Sequence, residues 1–544
     1  MKIVIVGGVA GGATAAARIR RLDEQAQIIV FERSGYISYA NCGLPYYIGD
    51  VITDPEALTL QTPESFFKRF RVTMKVHHEV MAIHPERKTV SVKNLTTGAV
   101  FEESYDKLIL SPGAKPTQPK LPGIDMEKVF TLRTVEDTFR LKKYIETKKP
   151  TSAVLAGGGF IGLELAENLK DLGIDVTIVQ RPKQLMNPFD ADMASFIHNE
   201  MRKHGVKLLL GRTVEGFEEK GETIRVLLKD ERPLHADLVV LAIGVTPDTH
   251  LAKEAGLQLG IKDSIVVNDR METSIPDIYA AGDAVMVKHY VTGNDALISL
   301  AGPANKQGRI IADNICGGDS HYLGSQGSSV IKVFDLTAAT TGINETNARK
   351  AGLDVDTVIL SPMNHAGYYP GGKVMTMKVV FEKNTYRLLG AQIVGYEGVD
   401  KRIDVLSTAI HANLNATSLK DLDLAYAPPY SSAKDPVNMA GFMIDNIANG
   451  VLKQWHLSDL TSILQDSNVT LLDVRTIFEY EHSHIEGFKN IPVDELRDHL
   501  SEIERDKPVY VICQSGLRSY IATRILSQNG YDAYNFAGGF RFYE

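Results

Sequence analysis

The sequence predicts a mixed α/β protein: two nested, doubly wound α/β domains, then an α+β domain, then a smaller α/β domain at the C-terminal end. Three observations carry that prediction. A strand–glycine turn–helix–strand unit occurs twice, beginning at Lys2 and again near residue 153. From about residue 325 the pattern changes to mixed strands followed by helical stretches. The last segment carries a short apolar strand that ends at Cys513, with a loop and a helix behind it. Length agrees, because 544 residues exceed what one hydrophobic core normally organises.

Hydrophobic residues make up 44% of the chain and charged residues 23%, ordinary proportions for a globular protein. The formal net charge of −8 argues against a general nucleic-acid or membrane surface and leaves room for a local basic pocket. No apolar stretch reaches the roughly 18 residues needed to span a bilayer. The chain opens directly into the strand-like KIVIVGG, with no signal-peptide pattern ahead of it. The three cysteines, Cys42, Cys316 and Cys513, are too few and too scattered for a disulfide framework. A reducing, cytoplasmic setting is therefore expected. There is no CxxC and no Cys/His cluster, so no metal site is expected.

The first unit runs from the strand KIVIV through Gly7-Gly8-Val9-Ala10-Gly11-Gly12 and the small-residue helix ATAAARIRRL to the strand QIIVFE. This is a Rossmann-type arrangement. Gly7 and Gly12 let backbone N–H groups approach a pyrophosphate at the helix N-terminus. Glu32 stands 20 residues after Gly12, where an acid holds a ribose hydroxyl. Val9 occupies the place of the second fingerprint glycine, so an ordinary α/β turn is the alternative here. The second unit, AVLAGGGFIGLELAENL, carries the full fingerprint as Gly157, Gly159 and Gly162. Its next strand ends in Gln180-Arg181 instead of an acid. An acid favours NAD, whereas an arginine accepts the 2′-phosphate of NADP, so this site suits NADPH or both nicotinamides. Two dinucleotide folds in one chain suggest one flavin and one nicotinamide.

LILSPG, ending at Gly113, and LVVLAIG are apolar strands closing on glycine turns, suited to chain crossings between nested domains. In IYAAGDA, Gly282 and Asp283 follow a strand and can meet a ribityl–phosphate chain; helix capping is the alternative for Asp283. The α+β region carries two tyrosine-proline loops, HAGYYPGG and AYAPPYSSAKD. VLKQWHLSDL then bridges to the last segment: LLDVR, a helix-like FEYEHSHI, IPVDEL, PVYVIC, and the loop Cys513-Gln514-Ser515-Gly516-Leu517-Arg518-Ser519 ahead of a helix. A cysteine at such a helix start meets backbone N–H groups and a positive dipole end, which favour a thiolate or a bound persulfide anion. Arg518 adds a fixed charge. The acid-rich VDELRDHLSEIERDK is expected to be a solvated helix face. Cys316 is expected to be buried and inert, His365 a hydrogen-bonded loop residue, and His482 and His484 no metal site. For Cys42, in SYANCGLPYY, a buried hydrophobe, a metal ligand, half a disulfide and a lone nucleophile all stay open on the residues alone.

The segments GGVAGGATAAARIRRL, SYANCGLPY, GGGFIGLELAENL, YAAGDA, DKRIDVLSTA and AYAPPYSSAKD resemble the pyridine nucleotide–disulfide oxidoreductases. Within that family the resemblance is to coenzyme A-disulfide reductases and coenzyme A persulfide/polysulfide reductases, in which Val9 is usual. LLDVR, HIEGFKNIP, CQSGLRS and AGG resemble a rhodanese domain. The resemblance implies an FAD-binding domain over 1–115 and 245–322, an NAD(P)H-binding domain over 116–244, a dimerisation domain over 323–450 and a rhodanese domain over 451–544. It implies FAD and NAD(P)H as cofactors, coenzyme A as substrate and a homodimer, with no nucleic acid and no membrane.

The same resemblance makes Cys42 the sole redox cysteine of the reductase part, carried as a mixed disulfide with coenzyme A. Coenzyme A contacts fall on Thr14, Arg18, Arg21, Ser38, Asn41 and Lys434. A family lysine is replaced by Phe70, with Lys68, Arg69 and Arg71 around it. Tyr368 and Tyr426 match a tyrosine pair that reaches the active site from the partner subunit. Cys513 becomes a sulfur carrier beside Arg518. A helix start at Asn41–Cys42 beside an oxidised flavin is expected to lower the thiol's pKa. The alternatives are an NADH oxidase that cycles Cys42 through a sulfenic acid and a persulfide-sensing flavoprotein with little turnover.

Overall fold

The computed structural model describes residues 1–543, which form two compact units. One holds Met1–Asn187 with His198–Gly327; the other holds Pro188–Ile197 with the chain from Ser328 onward. In the first unit, a five-stranded parallel sheet has the order Ile278–Ala280, Lys107–Leu110, Lys2–Val6, Gln27–Phe31, Thr73–Lys75. Its central strands are short, mostly apolar runs buried on both faces, as parallel sheets require. A strand from residues 278–280 thus lies in the same sheet as the N-terminus. The helix Ala10–Leu22 follows the first strand and buries its small residues Ala13, Ala15 and Ala16.

The second parallel sheet of this unit has the order Val129–Thr131, Leu238–Leu241, Ser152–Ala156, Asp175–Gln180, Lys207–Leu210. Between the two sheets the chain passes twice, and the passes pair antiparallel as Ala114–Pro116 with Val245–Pro247. Residues 188–197 leave the region that sequence assigned to a single nicotinamide-binding piece and belong to the second unit. There Asp190 accepts from the N–H groups of Glu345 and Thr346 at 3.0 and 2.9 Å, and lies 3.2 Å from the buried ammonium of Lys378.

The second unit contains an antiparallel sheet of order Ser329–Val333, Leu336–Gly342, Leu388–Gly395, Thr376–Glu382, Val355–Leu360, with the helices Val399–His411 and Pro436–Ala448 beside it. A five-stranded parallel sheet follows, in the order Gln454–Trp455, Ala533–Phe536, Val509–Ile512, Thr470–Asp473, Lys489–Asn490. One expectation fails here. VDELRDHLSEIERDK is not a helix: it is a run of turns with only Leu500–Glu502 in a 3₁₀ turn. Val493, Leu496 and Ile503 anchor it to the core, and its N–H groups bond three residues back, as in Glu495 to Pro492 and Asp498 to Glu495. The charge pattern hid those anchors. Among the described residues no helix is long and apolar enough to cross a membrane.

Candidate functional site

The two glycine turns have the same construction. Gly7 has φ +96°, and a Cβ on Gly12 would lie 1.9 Å from the Gly7 carbonyl oxygen. In the second turn Gly157 has φ +118°, and a Cβ on Gly162 would lie 2.2 Å from its carbonyl oxygen. Val9 precedes the first helix with φ negative, at −106°, so its backbone does not need the left-handed region that favours glycine. Glu32 is buried; its carboxylate accepts from the N–H of Gly8 at 2.8 Å and of Ser34 at 2.9 Å. In the second turn the Gly158 N–H goes to the Gln180 side-chain oxygen at 3.0 Å. A neutral amide thus takes the acid's place, with Arg181 exposed next to it.

A cavity of about 150 Å³ lies against the first turn, lined by Gly7, Glu32, Arg33, Val80 and Pro112 among others. A narrow cleft that meets a strand end, a glycine turn and a carboxylate fits the adenosine end of FAD. Gly113, at φ +72°, follows Pro112 on the chain crossing. Gly282, at φ +82°, donates its N–H to the Gln307 side chain at 2.7 Å. Asp283 is engaged by Arg133, Nη2 to Oδ2 at 2.6 Å.

Cys42 sits on the 3₁₀ turn Asn41–Gly43, which runs into the five-residue helix Leu44–Ile48 with Pro45 in its first turn. The approach to the turn is strained: Ser38 has φ +47° and donates its N–H to the Gly8 carbonyl at 2.9 Å. Past the helix, Gly49 lies so close to Asn168 that a Cβ would meet the Asn168 Oδ1 at 2.0 Å. The cysteine turn is thus held at one end by the first glycine turn and at the other by Phe160–Asp171, the helix of the second. Arg133 ties it from the side. With its side-chain amide turned so that O and N exchange places, the orientation that satisfies both atoms, Asn41 donates to the Arg133 carbonyl at 3.0 Å and accepts from Nη1 at 3.3 Å. Arg133 therefore links the cysteine turn to Asp283, a role no sequence signal announced.

Of the two sources expected to lower the Cys42 pKa, the helix start and the flavin, the helix start does not do it, because the chain's own groups act the other way. Although the Cys42 side chain is open to solvent, the protein atoms packed around its turn desolvate the sulfur and push the thiol up, the Glu164 carboxylate pushes it further, and Asp283 adds to the rise, with Arg133 alone opposing. A three-residue turn before a five-residue helix is too short to build the dipole of a full helix. Glu164 itself is lifted to about 7, first by burial and then by Glu167. Tyr46, close by, is lifted to about 12 by burial, Glu164, Glu167 and Cys42.

The other residues expected near this site divide. Thr14 Oγ1 donates to the Asn305 side chain at 2.9 Å, and Arg18 Nε pairs with Asp313 at 2.8 Å. Both contacts join the helix Ala10–Leu22 to Ala301–Ile315. Arg21 is exposed on the first helix. Phe70 packs on Phe66, ring centroids 4.8 Å apart, while Lys68, Arg69 and Arg71 are exposed around it. Cys316 caps the C-terminal end of Ala301–Ile315 and is only partly buried, so the expected full burial does not hold.

In the second unit, the Tyr368 and Tyr426 hydroxyls lie 2.7 Å apart, on side chains that are otherwise exposed. Lys434 is exposed in the segment that follows Tyr426. His365 is buried, with Nδ1 3.1 Å from the Ala366 carbonyl. His484 stacks on Tyr480 at 4.0 Å.

Cys513 follows the strand Val509–Ile512 and is fully buried. Its Sγ accepts from the Gly516 N–H at 3.1 Å and the Ser519 hydroxyl at 3.2 Å, both at the start of the helix Leu517–Gln528. Two loops hold this turn. Phe540 N–H bonds the Cys513 carbonyl at 2.8 Å, and a Cβ on Gly539 would lie 2.6 Å from the Ser515 nitrogen. Arg475, 1% exposed, chelates Asp473, reaches the Gln514 side chain at 3.3 Å and lies 3.8 Å above the Phe540 ring. Arg518, expected as a fixed charge, is engaged in an ion pair. Both of its Nη atoms bond Glu479 at 2.7 Å, which draws that carboxyl down to about 2.

Comparison with known proteins agrees with this architecture. Residues 1–308 match the pyridine nucleotide-disulphide oxidoreductase family, residues 328–436 its dimerisation domain, and residues 456–543 the rhodanese-like domain. The chain is 38% identical to coenzyme A disulfide reductase of Staphylococcus aureus over 442 residues, 81% of this chain and 99% of that protein. It is similar to the crystal structure of reduced CoADR-RHD from Bacillus anthracis, with 49% identity, TM-score 0.97, and coverage of 100% of this chain and 97% of that one. It is also similar to a NAD-dependent persulfide reductase from A. fulgidus, with 38% identity, TM-score 0.94, and full coverage of both chains.

Proposed function

Because the chain belongs to the pyridine nucleotide-disulphide oxidoreductases, flavoproteins that use FAD and NAD(P)H, and carries a rhodanese-like domain behind the family's dimerisation domain, we propose that it reduces coenzyme A persulfide, polysulfide and coenzyme A disulfide. Cys42 is the redox sulfur of the reductase part, and Cys513 relays sulfane sulfur to it by way of coenzyme A. The observation that carries the reading is the pair of unlike cysteine sites on one chain. Cys42 lies between two dinucleotide turns, and the buried Cys513 sulfur is met by two fixed donors.

Bound FAD supplies a two-electron path from NAD(P)H to the sulfur of Cys42. Gly7, Gly12, Glu32, Gly113, Gly282 and Asp283 would hold it, and Gly157, Gly159 and Gly162 would hold the nicotinamide nucleotide. Gln180 and Arg181 leave the 2′-phosphate of NADPH acceptable. Cys42 is carried as Cys42–S–S–CoA. Two electrons and the one proton of the incoming hydride cleave that bond to a Cys42 thiolate and coenzyme A thiol. The thiolate then attacks the sulfur bonded to coenzyme A in the next substrate. Coenzyme A persulfide releases hydrosulfide, and coenzyme A disulfide releases a coenzyme A thiolate that takes a proton. The mixed disulfide is restored either way.

Asn41 and the strained Ser38 flank the pantetheine end, and Thr14, Arg18 and Arg21 take the phosphates of the adenosine end. In a homodimer, Tyr368, Tyr426 and Lys434 of each subunit serve the site of the other, where a tyrosine hydroxyl protonates the departing sulfur. The test is steady-state NAD(P)H consumption with coenzyme A persulfide, coenzyme A disulfide, polysulfide and oxygen. Turnover confined to the sulfur substrates is expected. Oxygen as the fastest substrate would make the protein an oxidase that cycles Cys42 through a sulfenic acid, and negligible turnover throughout would make it a sensor.

A further inference from the structure

We propose that Arg402 is the positioning residue of the tyrosine pair: from inside the antiparallel-sheet domain it fixes both tyrosine loops and the Lys434 segment, so that the hydroxyls of Tyr368 and Tyr426 meet. The proposal rests on the reading that the pair serves coenzyme A chemistry.

The two rings cannot hold themselves. Within one chain Tyr368 is 76% exposed and Tyr426 47% exposed, so the chain's own packing leaves the end of either ring free. Their 2.7 Å approach is therefore set by where the two loops place the backbone. One loop surrounds Asn364–Tyr369, the other Ala425–Asp435, and the same guanidinium bonds both. Arg402, on the helix Val399–His411, is 1% exposed. Its Nη2 donates to the Asn364 carbonyl at 2.9 Å, four residues before Tyr368. The same nitrogen lies 3.3 Å from the Tyr430 carbonyl, four residues after Tyr426, and 3.2 Å from Ser431 Oγ. Nη2 and Nε reach Asp435 Oδ2 at 3.0 and 3.2 Å, and Nη1 reaches the Gly398 carbonyl at 3.0 Å.

The clamp is built around this one side chain. Gly398 has φ +70°, and a Cβ there would lie 2.2 Å from Arg402 Nη1. Asp435, 3% exposed, also accepts from the Ser431 hydroxyl at 2.7 Å and caps the helix Pro436–Ala448 through Val437 N–H at 3.0 Å. Burial alone would raise its pKa. The Val437 N–H, Ser431 and Arg402 outweigh burial and hold it below the ordinary carboxylate range, so the pair stays ionised. Lys401 adds a bond to the Ala425 carbonyl at 3.4 Å, directly before Tyr426. The loops also close on each other, Ala366 N–H to the Ser431 carbonyl at 3.0 Å. Lys434, between Ser431 and Asp435, is placed by the same anchors.

One hydroxyl of the pair donates to the other, and the accepting tyrosine keeps its own O–H free to donate outward. That polarised arrangement exists only while the loops are in register. A planar five-donor fork can serve both loops and a carboxylate at once, which an ammonium on a flexible stem cannot. Arg402→Lys therefore keeps the charge and loses the register.

The test reads the tyrosines and the turnover separately. Arg402→Lys is made in the wild-type chain and in a Tyr368→Phe/Tyr426→Phe chain. Expected are unchanged FAD content and unchanged flavin reduction by NAD(P)H, with kcat for coenzyme A disulfide lowered about tenfold or more. No further loss is expected in the chain that lacks both tyrosines. In ultraviolet difference titration, the late-ionising component that Tyr368→Phe removes should move to lower pH, because the hydrogen bond to Tyr426 raises the Tyr368 pKa. Equal losses with and without the tyrosines, or an unchanged titration and kcat, would overturn the proposal. Should Arg402→Lys lose its flavin, Ser431→Ala, which removes one acceptor, decides instead: a smaller change in the same direction is expected, and no change overturns the proposal. If the wild type does not turn over coenzyme A disulfide, the functional reading falls and the titration alone decides on Arg402.

Discussion

Cys513 and Cys42 present two ways of holding a reactive sulfur. The Cys513 sulfur is buried and accepts two hydrogen bonds from groups fixed at one helix start, Gly516 N–H and Ser519 Oγ. Cys42 is exposed on a single turn, and the chain surrounds it with one cation, Arg133, and two carboxylates, Glu164 and Asp283. The first is preorganised for an anion that stays, such as a bound sulfane sulfur. The second leaves its sulfur accessible, with a carboxyl lifted to about 7 whose charge opposes a thiolate there. A site that stores sulfur needs donors, whereas one that exchanges it needs access and a proton balance.

The largest effect expected from breaking this comparison is at Cys42 itself. Cys42→Ser should abolish NAD(P)H-dependent reduction of both coenzyme A disulfide and coenzyme A persulfide. Cys513→Ser should spare both and lower sulfide release from polysulfide. Spectrophotometric NAD(P)H consumption and sulfide trapping on the same preparations measure the two. Equal losses of both activities in Cys513→Ser protein that folds normally would remove the division of labour.

A smaller effect sharpens the account of Cys513. Ser519→Ala removes one of two donors to the sulfur and leaves the Gly516 N–H in place. A hydrogen bond to a charged acceptor contributes about 1.5–3 kcal/mol, so sulfur acceptance should fall roughly 10- to 150-fold while coenzyme A disulfide reduction is unchanged. Persulfide formation on Cys513, followed by mass spectrometry at a series of donor concentrations, gives the ratio. A change of less than twofold would mean that the backbone donor alone holds the anion.

The parts of these sites that were legible in sequence are those dictated by backbone geometry. Gly7, Gly12, Gly157 and Gly162 are required by approaches of 1.9–2.2 Å that any Cβ would violate, and the loop after Cys513 follows from a strand running into a helix start. What stayed hidden depends on contacts made far along the chain. Arg133 meets Asp283 across 150 residues, and nothing about LRTVED marks it. Arg402 gathers acceptors from two loops, and its place in DKRIDVLSTA shows neither. Arg518 was legible as a fixed charge, but its partner Glu479, 39 residues earlier, was not. The acid-rich stretch before Lys507 misled in the opposite way: its charges suggested a helix face, while Val493, Leu496 and Ile503 pin it down as turns.

The smallest expected effect tests the proton balance at Cys42. Glu164 has a folded pKa of about 7, raised from its ordinary value by burial and by Glu167. Below that pH it is mostly neutral and exerts little repulsion on the Cys42 thiolate; above it, a carboxylate faces the sulfur and opposes thiolate formation. In the wild type the two ionisations therefore work against each other as pH rises. Glu164→Gln removes the carboxylate and keeps the shape, so the Cys42 thiol should ionise at lower pH. The rising limb of kcat/KM for coenzyme A disulfide should then shift down by about one unit, the scale of one charge several ångströms away at an effective dielectric near 20. The same variant should be more stable than wild type above pH 7, because a carboxyl with a raised folded pKa loses its stabilising contribution as pH rises through that value. Thermal melting below pH 4.5 and above pH 7, the two ends of the interval over which the contribution is lost, checks this without reference to activity. A shift of the rate limb to higher pH would mean that Glu164 assists the thiolate, and the comparison between the two cysteines would need a base at Cys42 in place of a brake.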